Sequence, residues 1–134
     1  MTRRDLQIGR WHVEFYFSGE DGYDIDELFE RIYDSGAGPS IIRQAMDLME
    51  EGAPNTGFTF SNPLDRVAIV AIGPTTSGTE FLNTLVHELY HLATAIAKSL
   101  GVDLESEAPA YMVGDSARAL ADIICKMGCE NCRD

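Results

Sequence analysis

The sequence predicts an α+β domain with the element order β-α-α-β-β-α-α, in which a small sheet is followed by two long C-terminal helices. Trp11–Phe17 (WHVEFYF) alternates apolar and polar positions and is rich in aromatics, the pattern of a half-buried strand. Arg66–Gly73 (RVAIVAIG) is apolar almost throughout, as in a strand covered on both faces. Thr79–Leu100 and Glu107–Met127 are long stretches with apolar residues at helical spacing.

Each element has a local reason. SGEDG (Ser18–Gly22) closes the first strand with turn residues. In Asp24–Asp34 the residues Ile25, Leu28, Phe29 and Ile32 share one helical face, with Asp24 as cap and Glu27 three residues on. SGAGPS (Ser35–Ser40) breaks that helix. A second helix, Pro39–Glu51, turns Ile41, Ile42, Ala45, Met46 and Met49 inward. GAPNTG (Gly52–Gly57) is turn chemistry, and Phe58–Ser61 is a short strand with Phe58 and Phe60 on one side. In Thr79–Leu100 an apolar stripe of Leu85, Leu89, Leu92, Ile96 and Leu100 is widened by Val86, Ala93 and Ala97. The last helix takes Ser106 as its cap and places Pro109 in the first turn, where proline is tolerated. With no internal repeat, low-complexity linker or composition shift, residues 1–134 read as a single domain.

Composition narrows the function classes. Hydrophobic residues make up 45% of the chain, enough for a core without disulfide staples. The net charge of −12 argues against nucleic acid, whose phosphates need Lys and Arg, and against anionic membrane surfaces. No apolar run approaches the ~20 residues of a membrane span. The N-terminal stretch MTRRDLQIGRWHVEF lacks the apolar run of a signal peptide. The three cysteines, Cys125, Cys129 and Cys132, are an odd, clustered set that suits a reducing compartment better than a disulfide framework. These features together predict a cytoplasmic protein.

The chemistry is concentrated in NTLVHELYHLATAIA (Asn83–Ala97). Positions i and i+4 project side by side from a helix, so His87 and His91 can offer two imidazole nitrogens to one Zn²⁺. Glu88 falls beside the pair, where a general base could take a proton from a metal-activated water. The pattern is short enough to arise by chance on a core helix, with Glu88 as an ordinary surface charge. A catalytic zinc usually has three protein ligands. The further candidates are Asp103, Glu105, Glu107 and Asp115 downstream and His12 upstream, although a histidine on an alternating strand is usually a plain surface or sheet residue.

HELYH followed by ESEAPAYMVGD (Glu105–Asp115) resembles the small zincin-like metallopeptidases of bacteria and their phages. The resemblance covers Phe58–Met127, including the hairpin GFTFSNP…RVAIVAIGP, and extends over Met1–Gly57 only in general order. It implies a minimal zincin-like domain in which EAPAY places Glu107 as the third ligand of a His-His-Glu zinc site. It further implies an edge strand beside the metal cleft that pairs with a peptide or protein substrate. The compartment would be the host cytoplasm if a phage carries the chain. Glu105 is the alternative ligand if the second helix starts earlier. Tyr111, one turn after Glu107, could stabilise an oxyanion or be a half-buried core tyrosine. Asp115 could orient a ligand histidine or be a solvated helix acid. Gly114 would allow close helix packing.

In the tail, Cys125 is expected to pack in the last helical turns. Cys129 and Cys132 form a C-x-x-C pair that could hold a structural metal or a disulfide, or simply fray into solvent. The expected function is a zinc-dependent metallopeptidase. The alternatives are a catalytically inactive, zinc-stabilised binding or regulatory protein, and a metal-free acidic adaptor.

Overall fold

The structure is a computed structural model that describes residues 1–128. Its elements are β1 (Thr2–Ile8), β2 (Trp11–Phe17), α1 (Ile25–Asp34), α2 (Pro39–Glu51), β3 (Gly57–Asn62), β4 (Val67–Ile72), α3 (Gly78–Ser99), α4 (Glu107–Ala119) and α5 (Ala121–Gly128). The domain is mixed α and β, with one four-stranded sheet in the order β1-β2-β4-β3. β1–β2 and β3–β4 are antiparallel hairpins, and β2 and β4 join them as a parallel seam.

The sheet separates two cores because successive strand residues point to opposite faces. On one face Val13, Phe15, Phe17, Val70 and Ile72 pack under Leu85, Leu89, Leu92 and Ile96 of α3, with Leu120 and Ile123 closing the flank. On the other, Tyr16, Ile69 and Ala71 meet Leu28 and Ile32 of α1 and Ala45 and Met49 of α2. Ala68–Ile72 are buried without interruption, as their apolar run predicts for a central strand. The helix ends follow their local signals. Asp24 accepts from Glu27 N, Ser77 from Glu80 N and Ser106 from Ala108 N, and Gly52 closes α2 in the left-handed conformation.

The structure differs from the sequence expectation in several places. β2 is buried on both faces rather than half-buried, and Ile41, Val86 and Leu100 are exposed rather than turned inward. Residues 2–8 form a strand, β1, at one edge of the sheet. Its half-buried positions are Thr2, Arg4, Leu6 and Ile8, so only two apolar side chains mark it. Gly9, at φ 57, is the first residue of the tight β1–β2 turn, the glycine-first pattern of type II′ loops. The final helix is two helices, α4 and α5, divided at Leu120. No glycine or proline marks the break; Leu120 and Ile123 are buried there against α3. Among the described residues no helix is long and apolar enough to cross a membrane.

One polar group lies deep in the layer between the sheet and α1. Glu14, on β2, is 1% exposed. Arg31 donates to it from Nε at 2.9 Å and Nη2 at 2.7 Å, the Tyr16 hydroxyl donates at 2.7 Å, and Arg3 Nη2 lies 3.1 Å away. The two-pronged Arg31 contact ties α1 to the sheet. Burial pushes the Glu14 carboxyl up, but the hydrogen bonds from Arg31 and Tyr16 and the charges of Arg31 and Arg3 outweigh it, so the group is held below its ordinary value. A lowered folded-state pKa stabilises the fold above the unfolded-state value, and that contribution is lost as pH falls through the folded-state value. Stability should therefore decline as pH drops below about 4.3, and Glu14→Gln should flatten that decline in urea unfolding. Arg31→Ala should cost about 2–3 kcal/mol at pH 7, less than the ~3–5 of a wholly orphaned buried charge because Arg3 remains. An Arg31→Ala chain as stable as the parent would mean that this ion pair does not hold α1 in place.

Candidate functional site

α3 uses two adjoining faces for different ends. Leu85, Leu89, Leu92 and Ile96 fill the core. The next flank carries Thr84, His87, Glu88, His91 and Ala95, and these line grooves shared with β3. The register of β3 decides what they meet. Phe58 and Phe60 lie opposite Ala71 and Ile69, on the α1–α2 face, so Gly57, Thr59 and Ser61 turn toward α3. A Cβ at Gly57 would stand 2.7 Å from Ala71 O and 3.1 Å from Glu88 Cγ. The absence of a side chain there lets Glu88 rest against the strand.

His87 and His91 converge. Their Nε2 atoms are 3.1 Å apart, with the rings edge to face at 76°. Two nitrogens held at ~2.0–2.1 Å from one tetrahedral zinc would be separated by ~3.4 Å, so the pair fits one half of such a site with only a small adjustment. Without a cation, the same separation lets one ring donate its N–H to the other. Both rings are exposed, whereas Glu88 is 5% exposed. The Thr59 hydroxyl donates to Glu88 Oε2 at 2.7 Å. Glu88 sits where two lobes of the groove meet. One lobe, about 260 Å³, runs past Gly57, Asn83 and His87, and the other, about 390 Å³, past Thr59, Ser61 and His91.

Tyr23 lies nearby. Its hydroxyl would be 3.2 Å from a Cβ on Gly73, is shielded from solvent and has no hydrogen-bond partner among the described residues. Burial pushes its pKa well up, and the charge of Glu88 pushes it further.

The strand beside the groove is open. In an antiparallel ladder, alternate residues exchange hydrogen bonds with the partner. Gly73 N donates to Thr56 O, while Ile72 O and Arg66 O accept from β2 at Ser18 N and His12 N. Phe58 and Phe60 therefore continue the bonding to β4, and Gly57, Thr59 and Ser61 direct their main-chain N–H and C=O outward.

The other sequence candidates lie elsewhere. Glu107 is exposed at the first residue of α4, a helix that packs mainly along α3 and also touches β1. Glu105 is exposed in the preceding turn, where its N–H donates to Asp103 Oδ1. Among the described residues no group of three or more His, Cys, Asp or Glu side chains is gathered that could hold a metal. Tyr111 is 66% exposed, so it is neither a core tyrosine nor part of the groove, because α4 turns it to solvent. Asp115 pairs with Arg118 at 2.8 Å on the exposed face of α4 rather than with a histidine. Gly114 has nothing among the described residues within 4 Å of its Cβ position, so their packing does not require a glycine there. His12 Nε2 is 3.4 Å from Asp5 Oδ2 on the sheet surface. Cys125 is exposed rather than packed. Cys129 and Cys132 lie outside the described residues.

Phe58–Ser61 is the strand expected to pair with substrate, but the sequence does not reveal the contacts of Gly57 and Thr59 with Glu88, nor Tyr23. The alternation of GFTFSN separates Gly57, Thr59 and Ser61 from the phenylalanines, but only the tertiary pairing sets that side against Glu88.

Gly57→Ala should displace Glu88 and cost about 1–3 kcal/mol in urea unfolding. Tyr23→Phe should leave stability unchanged or raise it, since its hydroxyl has no partner to lose. A clear loss on Tyr23→Phe would mean that a bound water or ligand satisfies the hydroxyl. The chain matches no family model, no curated protein and no solved structure.

Proposed function

We propose that the chain is a metal-dependent hydrolase, most simply a zinc metallopeptidase, that acts on an extended peptide lying along β3. The observation that carries this reading is the convergence of the His87 and His91 Nε2 atoms, 3.1 Å apart, beside a buried carboxylate and an open strand edge. His87 and His91 would hold the metal. Zinc suits imidazole ligands, and bound there it would supply a water acidified toward pKa ~7. Glu88 would accept the proton and pass it to the leaving amine. Thr59 keeps the Glu88 carboxylate against the strand in a fixed orientation. The outward main-chain groups of Gly57, Thr59 and Ser61 would pair with the substrate backbone.

The resemblance to zincin-like peptidases supplies Glu107 as the third ligand. Among the described residues Glu107 is not gathered with the two histidines, so it would have to be brought to them, or another group would complete the coordination. A second reading shares the histidine pair and the open strand: the chain binds metal and captures a strand without turning over. In both readings the compartment is the cytoplasm, the host's if a phage carries the chain.

The purified chain should contain about one zinc per molecule by elemental analysis, or take it up on addition, and His87→Ala should lose it. Glu88→Gln should keep the metal and lower peptide hydrolysis by about 10²–10⁴-fold. Metal retained with no hydrolysis by the parent chain would select the binding reading. No metal even after zinc addition would remove both.

A further inference from the structure

A second groove lies across β3 from the histidines. It is about 240 Å³, and its walls include Ile41, Gln44 and Leu48 of α2 and Phe58 and Phe60 of β3. Among the described residues no charged side chain lines it. Ile41 is 38% exposed and Phe58 and Phe60 are half-buried, so apolar surface is left open beside the unpaired edge of the sheet. Natural edge strands are usually blunted by lysine, proline, a bulge or an inward charge. GFTFSN has no charged residue and no proline, and its register with β4 runs without interruption from Gly57 to Asn62. The edge is therefore open to pairing.

A segment that pairs with β3 sends alternate side chains to opposite faces of the sheet. Residues opposite Gly57, Thr59 or Ser61 face the His87–Glu88–His91 groove. Their neighbours, opposite Phe58 and Phe60, face the α2 groove. We infer that this α2 groove selects the peptide: the segment accepted is extended, neutral to basic, and carries large apolar side chains at the positions flanking the one that faces Glu88. Ile41, Phe58 and Phe60 would read those side chains, while Leu48 borders both grooves. The charge preference follows from complementarity. The chain carries a net −12, and α2 continues past the groove with exposed Asp47, Glu50 and Glu51.

This inference rests on β3 being the peptide-binding strand of the proposed hydrolase, and the test separates the two. Blocked octapeptides with lysine at both ends and threonine alternating with leucine between them would be compared with versions carrying alanine or aspartate in place of leucine. Binding would be measured on the full-length Glu88→Gln chain and cleavage on the parent chain. The leucine peptide should bind at least ~10-fold more tightly than the alanine one, as expected for burying leucine side chains, and the aspartate peptide should bind most weakly. Ile41→Ser, a change at an exposed position, should erase most of the leucine preference, and Gln44→Leu should increase it. Leucine-dependent binding without cleavage would leave the groove assignment standing and overturn the hydrolase. Equal binding and equal cleavage of the leucine and alanine peptides would overturn the groove assignment and leave the hydrolase standing. Failure of every peptide to bind would overturn the groove assignment.

Discussion

β3 turns its smallest side chains toward α3, and the helix can therefore ride close over the outer strand. That close approach presses the Glu88 side chain against Gly57 and brings its carboxylate within reach of the Thr59 hydroxyl. A bulky residue at either position would lift α3 from the edge strand, and the groove would lose the wall that shields the carboxylate. The histidines one residue before and three residues after Glu88 are then left at the rim, accessible to solvent, while Glu88 is enclosed. The contrast in exposure between ligand-type and base-type side chains thus follows from helix periodicity and three small strand residues, without any special backbone geometry.

The same sheet separates polar groups with different roles. Glu14, Tyr16, Arg3 and Arg31 form a satisfied cluster on the α1 face, where each strong donor meets a strong acceptor. Such a cluster holds layers in place and has little spare hydrogen-bonding capacity for a ligand. On the α3 face the two imidazoles at the rim face only one another among the described residues. Open capacity of this kind suits a site that must accept something from outside.

What was legible in the sequence was local. The i, i+4 spacing placed His87 and His91 on one face of a helix, and the unbroken apolar run of Arg66–Gly73 marked the central strand. Caps at Asp24 and Ser106 were visible because a side-chain oxygen bonds an N–H two or three residues away. What escaped depended on distant parts of the chain. β1 is recognisable only beside β2, because Leu6 and Ile8 are too few to mark a strand alone. The division at Leu120 has no breaker residue and arises from packing against α3. Glu107, Tyr111 and Asp115 share a helix whose spacing is legible, but how that helix packs along α3 is not, and the packing does not gather a third ligand-type side chain with the histidines among the described residues.

The strand order also shapes how this chain must fold. Two of the three ladders join neighbours in sequence: β1 meets β2 across Gly9 and Arg10, and β3 meets β4 across residues 63–66. The third, β2 with β4, closes a loop running from Ser18 to Arg66, which contains α1, α2 and β3. Loop-closure entropy therefore falls almost wholly on the parallel seam. The two hairpins can each form before they meet, and their docking is the non-local step, an order that φ-values measured along the three ladders would read directly. Until that docking, the β4 edge that later meets β2 is bare and flanked by the most apolar run of the sheet, so the interval before the seam closes is when this chain is most open to pairing with copies of itself.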